Sequence, residues 1–164
     1  MKKAMTILGL VLISSTVFAI NNSTLGEYST PSGIRFSDYT KEGCVSENGD
    51  FNEEDQACYH SAENTISIKQ NAENKTLVII SVVYGSGNMR DFSGVVTQEN
   101  KGELLAKEAN IDDSGKIESL VEGGCNLEIT IQNNTASLKL GRACDLDLER
   151  ASGAQKKELK PQGL

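Results

Sequence analysis

The sequence predicts an all-β protein, a small antiparallel meander of about eight strands closed into a barrel and held by two disulfides. Three observations predict it. Short segments in which apolar and polar residues alternate recur along the chain, separated by Asn-Gly, Ser-Gly and Asp-Ser-Gly turns. One run, Thr76 to Tyr84, is strongly β-prone. Four cysteines, Cys44, Cys58, Cys125 and Cys144, form an even set with no zinc-like C-x-x-C pairing. Closure is the economical arrangement because it removes exposed strand edges. A two-sheet sandwich fits the same pattern and stays open.

The N-terminus sets the compartment. Lys2 and Lys3, the apolar run Ile7 to Ile13 and the small residues around Val17-Phe18-Ala19 read as a secretory signal peptide of the bacterial type. The run is too short for a membrane span, which needs roughly 20 apolar residues. Residues 1–19 are therefore read as the signal peptide, 20–157 as one barrel domain and 158–164 as a disordered tail. No cysteine stands at the cleavage site, so no lipid anchor is expected, and the destination is periplasmic or secreted. There the cysteines are expected to be oxidised. Four cysteines allow three connectivities. Sequence-local pairing gives Cys44–Cys58 and Cys125–Cys144, each closing a modest loop.

In chain order, residues 20–31 read as a polar, loosely patterned arm, followed by a first strand from Ile34 to Tyr39. Lys41 to Ser61 is an acidic loop held at its ends by Cys44 and Cys58. Asn64 to Gln70 alternates, and Asn71 to Lys75 is a hairpin loop leading into the central strand Thr76 to Tyr84. Met89 to Thr97 follows, with Gly94 expected to mark a bulge, and then Glu103 to Lys107, read as a strand. Calcium loops can be drawn over Cys44 to Asp55 and Asn110 to Val121. The first starts on a cysteine and the second lacks its closing carboxylate, so a solvated loop and a tight turn are the better readings. The clearest signal is a hairpin: Leu127, Ile129 and Ile131 share one face, Gln132 to Asn134 turn, and Ala136, Leu138 and Leu140 return. After Cys144, Leu146 and Leu148 alternate with Asp145, Asp147 and Glu149 as a last strand.

Chemistry is excluded more readily than assigned. The whole chain carries a formal charge of −7, and loss of the two signal-peptide lysines leaves 14 basic against 23 acidic residues, or −9. That acidity argues against nucleic acid and anionic membrane, and favours a cationic protein partner. One histidine, His60, beside an expected disulfide, is a poor basis for a catalytic triad. No phosphate-binding glycine loop, nucleophile elbow or metal-ligand cluster appears. The chain is expected to be no enzyme and to need no cofactor or metal.

Two cysteine-bracketed strands, a second cysteine and a final strand running into Ala151-Ser152-Gly153 resemble the small periplasmic β-barrels of the lysozyme-inhibitor kind. The resemblance covers about the last quarter of the exported chain. In that family a Ser-Gly-x-Tyr loop enters the lysozyme cleft and engages its catalytic carboxylates. By that resemblance Ser152, Gly153 and Lys156 become partner-contact candidates, although Ala154 and Gln155 follow Gly153 and the tyrosine is missing. Ser86-Gly87 and Ser93-Gly94 are competing Ser-Gly sites, also without tyrosine. The expected function is a lysozyme inhibitor or an immunity protein against a cell-wall hydrolase. A barrel holding a small apolar ligand is the alternative.

Overall fold

In a computed structural model that describes residues 23–37, 39–85 and 87–158, period-two alternation carries the chain up and down around one apolar interior. The strands are β1 (Gly26–Phe36), β2 (Asp50–Asn52), β3 (Ala57–Gln70), β4 (Thr76–Tyr84), β5 (Asn88–Asn100), β6 (Glu103–Ile111), β7 (Ile117–Leu120), β8 (Asn126–Gln132), β9 (Thr135–Leu140) and β10 (Ala154–Lys156). A short helix, α1 (Lys41–Ser46), and a 3-10 helix (Leu146–Ala151) complete the set. Every pairing is antiparallel. The order β1-β10-β9-β8-β6-β5-β4-β3 returns to β1, closing an eight-stranded barrel. The sandwich alternative is set aside by this closure.

The seam is asymmetric. β1 pairs β3 from Gly26↔Ile68 to Phe36↔Cys58, along its whole length. On its other side it meets β10 only at Tyr28↔Lys156 and Ser29↔Gln155. The 3-10 helix plugs the end this short strand leaves open, sending Leu148 and Ala151 into the core. Asn64 holds the plug in place where β3 and β4 diverge. Its Oδ1 accepts from Val83 N at 2.8 Å and its Nδ2 donates to Arg150 O at 3.1 Å, with the residue only 3% exposed.

Side chains fill the interior. Tyr28, Ile66, Ile80, Leu104, Leu127 and Ile129 are each 1% exposed or less, and each such burial is worth roughly 1.5–3 kcal/mol. Outside the wall a second patch forms: Leu77, Val95 and Ala109 are buried, and Asn71 Nδ2 donates to Gly115 O at 3.0 Å, drawing the β6–β7 turn over Leu77.

The disulfides are Cys44–Cys58, tying α1 to β3, and Cys125–Cys144, tying the start of β8 to the loop after β9. The sequence-local pairing is the one observed. The β8–β9 hairpin turns on Asn133 and Asn134, both left-handed at φ 50° and 61°, as a two-residue turn demands. Glu103 to Lys107 is a strand, extended to Ile111.

Four expectations need correction. The arm over residues 20–31 is already strand from Gly26, because β3 offers a partner for the whole length whatever the weak pattern of GEYST. The acidic loop over 41–61 contains α1, β2 and the start of β3. Thr40 Oγ1 caps α1 by accepting from Gly43 N at 3.1 Å. The last strand over 146–149 is the 3-10 helix: Asp145 caps it by accepting from Asp147 N at 3.0 Å, and the buried pair Leu148 and Ala151 has helical spacing while Leu146 points out, 79% exposed. Gly94 marks no bulge. A Cβ there would lie 2.5 Å from the Phe92 ring and 2.7 Å from Lys107 O, so glycine is required by close approach. The register shift falls at Thr97 instead. The first strand expected over Ile34 to Tyr39 is the end of β1, which stops at Phe36. The signal peptide, residues 20–22 of the arm, Asp38, Ser86 and the tail beyond Glu158 lie outside the described residues.

Candidate functional site

The shift at Thr97 changes which face of β5 looks inward. Val96 pairs Ala106, but Gln98 pairs Leu105 and Glu99 pairs Leu104, so Thr97 and Gln98 share the outer side. Glu99 is thereby turned onto the face of the buried Leu104, at the barrel mouth opposite the plug. Its Oε2 is buried and has no hydrogen-bond partner among the described residues. A carboxylate oxygen in that position has lost water without gaining a donor, which costs on the order of 1–3 kcal/mol.

On the outer face lies a cleft of 710 Å³ between the β5–β6 hairpin and β8, lined by residues that include Thr97, Glu99, Glu103, Leu105, Glu128 and Thr130. Two carboxylates, Glu103 and Glu128, stand there on the outer face, while the Glu99 side chain lies on the inward face of the same wall with Leu104. Glu128 is answered by Lys139 at 2.8 Å, an exposed pair worth little, and Glu103 has no ion-pair partner among the described residues. The cleft can accept charge-assisted hydrogen bonds from ammonium or guanidinium groups.

A second acidic depression, of 610 Å³, is lined by Asp50, Phe51, Asn52, Glu53, Glu54 and Tyr59. Its charges are more occupied. Glu53 pairs with Lys41, which holds the Glu53 carboxyl below its usual pKa, and Asp55 accepts from Tyr59 OH at 2.6 Å. Above it His60 sits edge-on to Phe36 and Tyr39, with Nε2 3.3 Å from Cys58 Sγ. In the β6–β7 turn, Asp112 Oδ1 accepts from Ser114 Oγ, Ser114 N and Lys116 N, which keeps its pKa low and uses this carboxylate within the turn.

The residues singled out by resemblance are structurally engaged. Ser152 Oγ accepts from Leu138 N at 2.8 Å, and Gly153 N donates to Ala136 O at 2.8 Å with a left-handed φ of 83°. Lys156 Nζ donates to Ser23 O at 2.7 Å and lies over the Tyr28 ring. Ser152 and Gly153 stand together in the turn before β10, and Lys156 lies across the closing seam. Nothing in the sequence pattern marks the inward Glu99 carboxylate, because it depends on a shift invisible to simple alternation.

Fold and site together describe a closed, disulfide-bonded up-and-down barrel whose interior is packed and whose surface carries acidic depressions. No protein-family model, curated protein or solved structure matches the chain.

Proposed function

We propose that the chain is an exported, non-catalytic binding protein for a cationic protein, with a lysozyme or another cell-wall hydrolase as the concrete candidate partner. The observation that carries this reading is the cleft on the outer face of β5, β6 and β8 that holds the carboxylates of Glu103 and Glu128. A basic side chain entering there gains a charge-assisted bond to Glu103, which has no ion-pair partner among the described residues. The net charge, −7 for the whole chain and −9 without residues 1–19, adds long-range attraction to a basic partner. The packed interior favours the outer surface over the lumen as the binding region, which makes a lumen-bound apolar ligand the weaker reading. Two disulfides suit an exported protein.

The test is inhibition. Purified protein added to a c-type lysozyme at low salt is expected to slow cell-wall hydrolysis and to lose potency as salt screens the charges. Absence of inhibition or complex with every lysozyme class at micromolar protein and low salt would contradict the proposal.

A further inference from the structure

The mouth opposite the plug is covered by the chain that enters it. β10 runs antiparallel to β9, so it ends beside the Asn133–Asn134 turn, where Lys156 N donates to Asn134 O at 2.7 Å. β1 begins at the same end, because Tyr28 pairs Lys156. Pairing of β1 to β3 starts only at Gly26, and the residues just before it turn inward: Thr24 is 3% exposed and Leu25 packs against the core.

Two side chains hold this strap by its carbonyls. Tyr28 OH donates to Thr24 O at 2.9 Å, and Lys156 Nζ donates to Ser23 O at 2.7 Å. The two donors are also joined to each other. Tyr28 is fully buried, and Lys156, its cross-strand partner on the same inward face, has its ammonium 5.8 Å from the ring centroid. Gly26 supplies the bend between strap and strand. Its φ of 145° favours glycine, and a Cβ there would lie 2.7 Å from Lys156 Cε, so a larger residue would strain the backbone and push the lysine stem aside.

Strap and barrel differ in what holds them. The barrel closes on continuous strand ladders around one core, whereas the strap is three residues long, lies beyond the end of the β1–β3 ladder and is fastened at two carbonyls by side chains. A short segment of that kind opens at a lower free energy than the core it covers. The other end of the barrel is fixed by the plug and its Asn64 bonds, which leaves the strap as the movable side. We infer that residues 23–25 form a lid on the barrel mouth, hinged at Gly26 and latched by Lys156 and Tyr28, which opens as a unit while the barrel stays folded. Opening uncovers the Tyr28 phenol and the inward face of β10, so this mouth is the route by which water or a small solute reaches the interior.

Thiol labelling separates opening of the lid from unfolding of the barrel. Thr24→Cys places a buried probe on the lid, and Ala136→Cys, at a fully buried residue of β9, places one in the wall. With both disulfides intact and reagent in excess, the Thr24→Cys protein is expected to react at least about 100-fold faster than the Ala136→Cys protein. Adding Lys156→Met keeps a stem over Tyr28 but removes the charged donor. It is expected to speed labelling at position 24 about tenfold or more and to leave position 136 unchanged. Hydrogen exchange repeats the comparison without new cysteines: the amides of residues 23–25 should exchange ahead of those in β3 and β4, and faster still in Lys156→Met. Equal labelling at the two positions would overturn the inference, as would exchange of residues 23–25 only together with β3 and β4. So would a Lys156→Met variant that leaves the lid rate unchanged or speeds lid and wall alike.

Discussion

Replacing Asn64 by leucine removes the side chain that locks the plug to the wall while keeping its branching and its number of heavy atoms. Two hydrogen bonds disappear, from Val83 N at 2.8 Å and to Arg150 O at 3.1 Å. Val83 lies in a half-buried strand where β3 and β4 part, so its N–H is left with little water to replace the amide oxygen. An orphaned buried N–H costs about 1–3 kcal/mol, whereas the Arg150 carbonyl, on an exposed residue, recovers most of its loss from solvent. Added apolar burial offsets roughly 1 kcal/mol. The expected net loss is about 1–2 kcal/mol, read by urea unfolding with disulfides intact. It should appear as a lower midpoint at unchanged slope. Asn64→Asp keeps the acceptor for Val83 but sets a buried carboxylate against the Arg150 carbonyl. Its folded-state pKa is therefore raised, so the variant should be nearest to wild type below about pH 4 and lose stability as pH rises above that. Loss below about 0.5 kcal/mol in both variants at neutral pH would refute the role assigned to Asn64.

Three further outcomes follow from the geometry. Removing Cys125–Cys144 with paired serines releases a loop with a sequence separation of 19, and chain entropy puts the loss near 3 kcal/mol, measurable by the same unfolding curves. Gly94→Ala should cost about 1–3 kcal/mol, because its Cβ would meet the Phe92 ring and Lys107 O, while the exposed Gly123→Ala at φ 68° tests backbone strain alone with no contact within 4 Å. Asp112 has a folded pKa lowered first by the Ser114 hydroxyl, so its contribution is complete above the unfolded value near 4 and is lost as pH falls through the folded one. Asp112→Asn should accordingly flatten the acid limb of melting temperature against pH.

How much was legible in the sequence depends on whether local or distant partners decide a segment. The β8–β9 hairpin was readable because Leu127 to Leu140 alternate cleanly and Asn133-Asn134 accept left-handed backbone. The disulfide pairing was readable because local cysteines close short loops. Only the end of β1, Ile34 to Phe36, was readable, since Tyr28, Thr30 and Ser32 carry little apolar contrast and pairing to β3 decides their state. The plug was misread because Leu146 and Leu148 mimic strand alternation, whereas Leu148 and Ala151 carry the burial. The inward Glu99 carboxylate escaped for a sharper reason. Without the shift at Thr97, odd-numbered residues of β5 face outward and Glu99 is an ordinary surface acid. With it, the same carboxylate is turned inward and left without a donor.

The measurement closest to the central claim is calorimetric titration of a c-type lysozyme into the wild type and into a Glu103→Gln, Glu128→Gln variant, at about 10 and about 150 mM salt. The account predicts a saturable complex that weakens with salt in the wild type. It predicts at least about tenfold weaker binding in the variant at either salt, with folding unchanged, as expected for loss of charge-assisted bonds. Equal affinity of wild type and variant would contradict the assignment of the cleft, and no heat of binding for either at low salt would contradict the cationic partner itself.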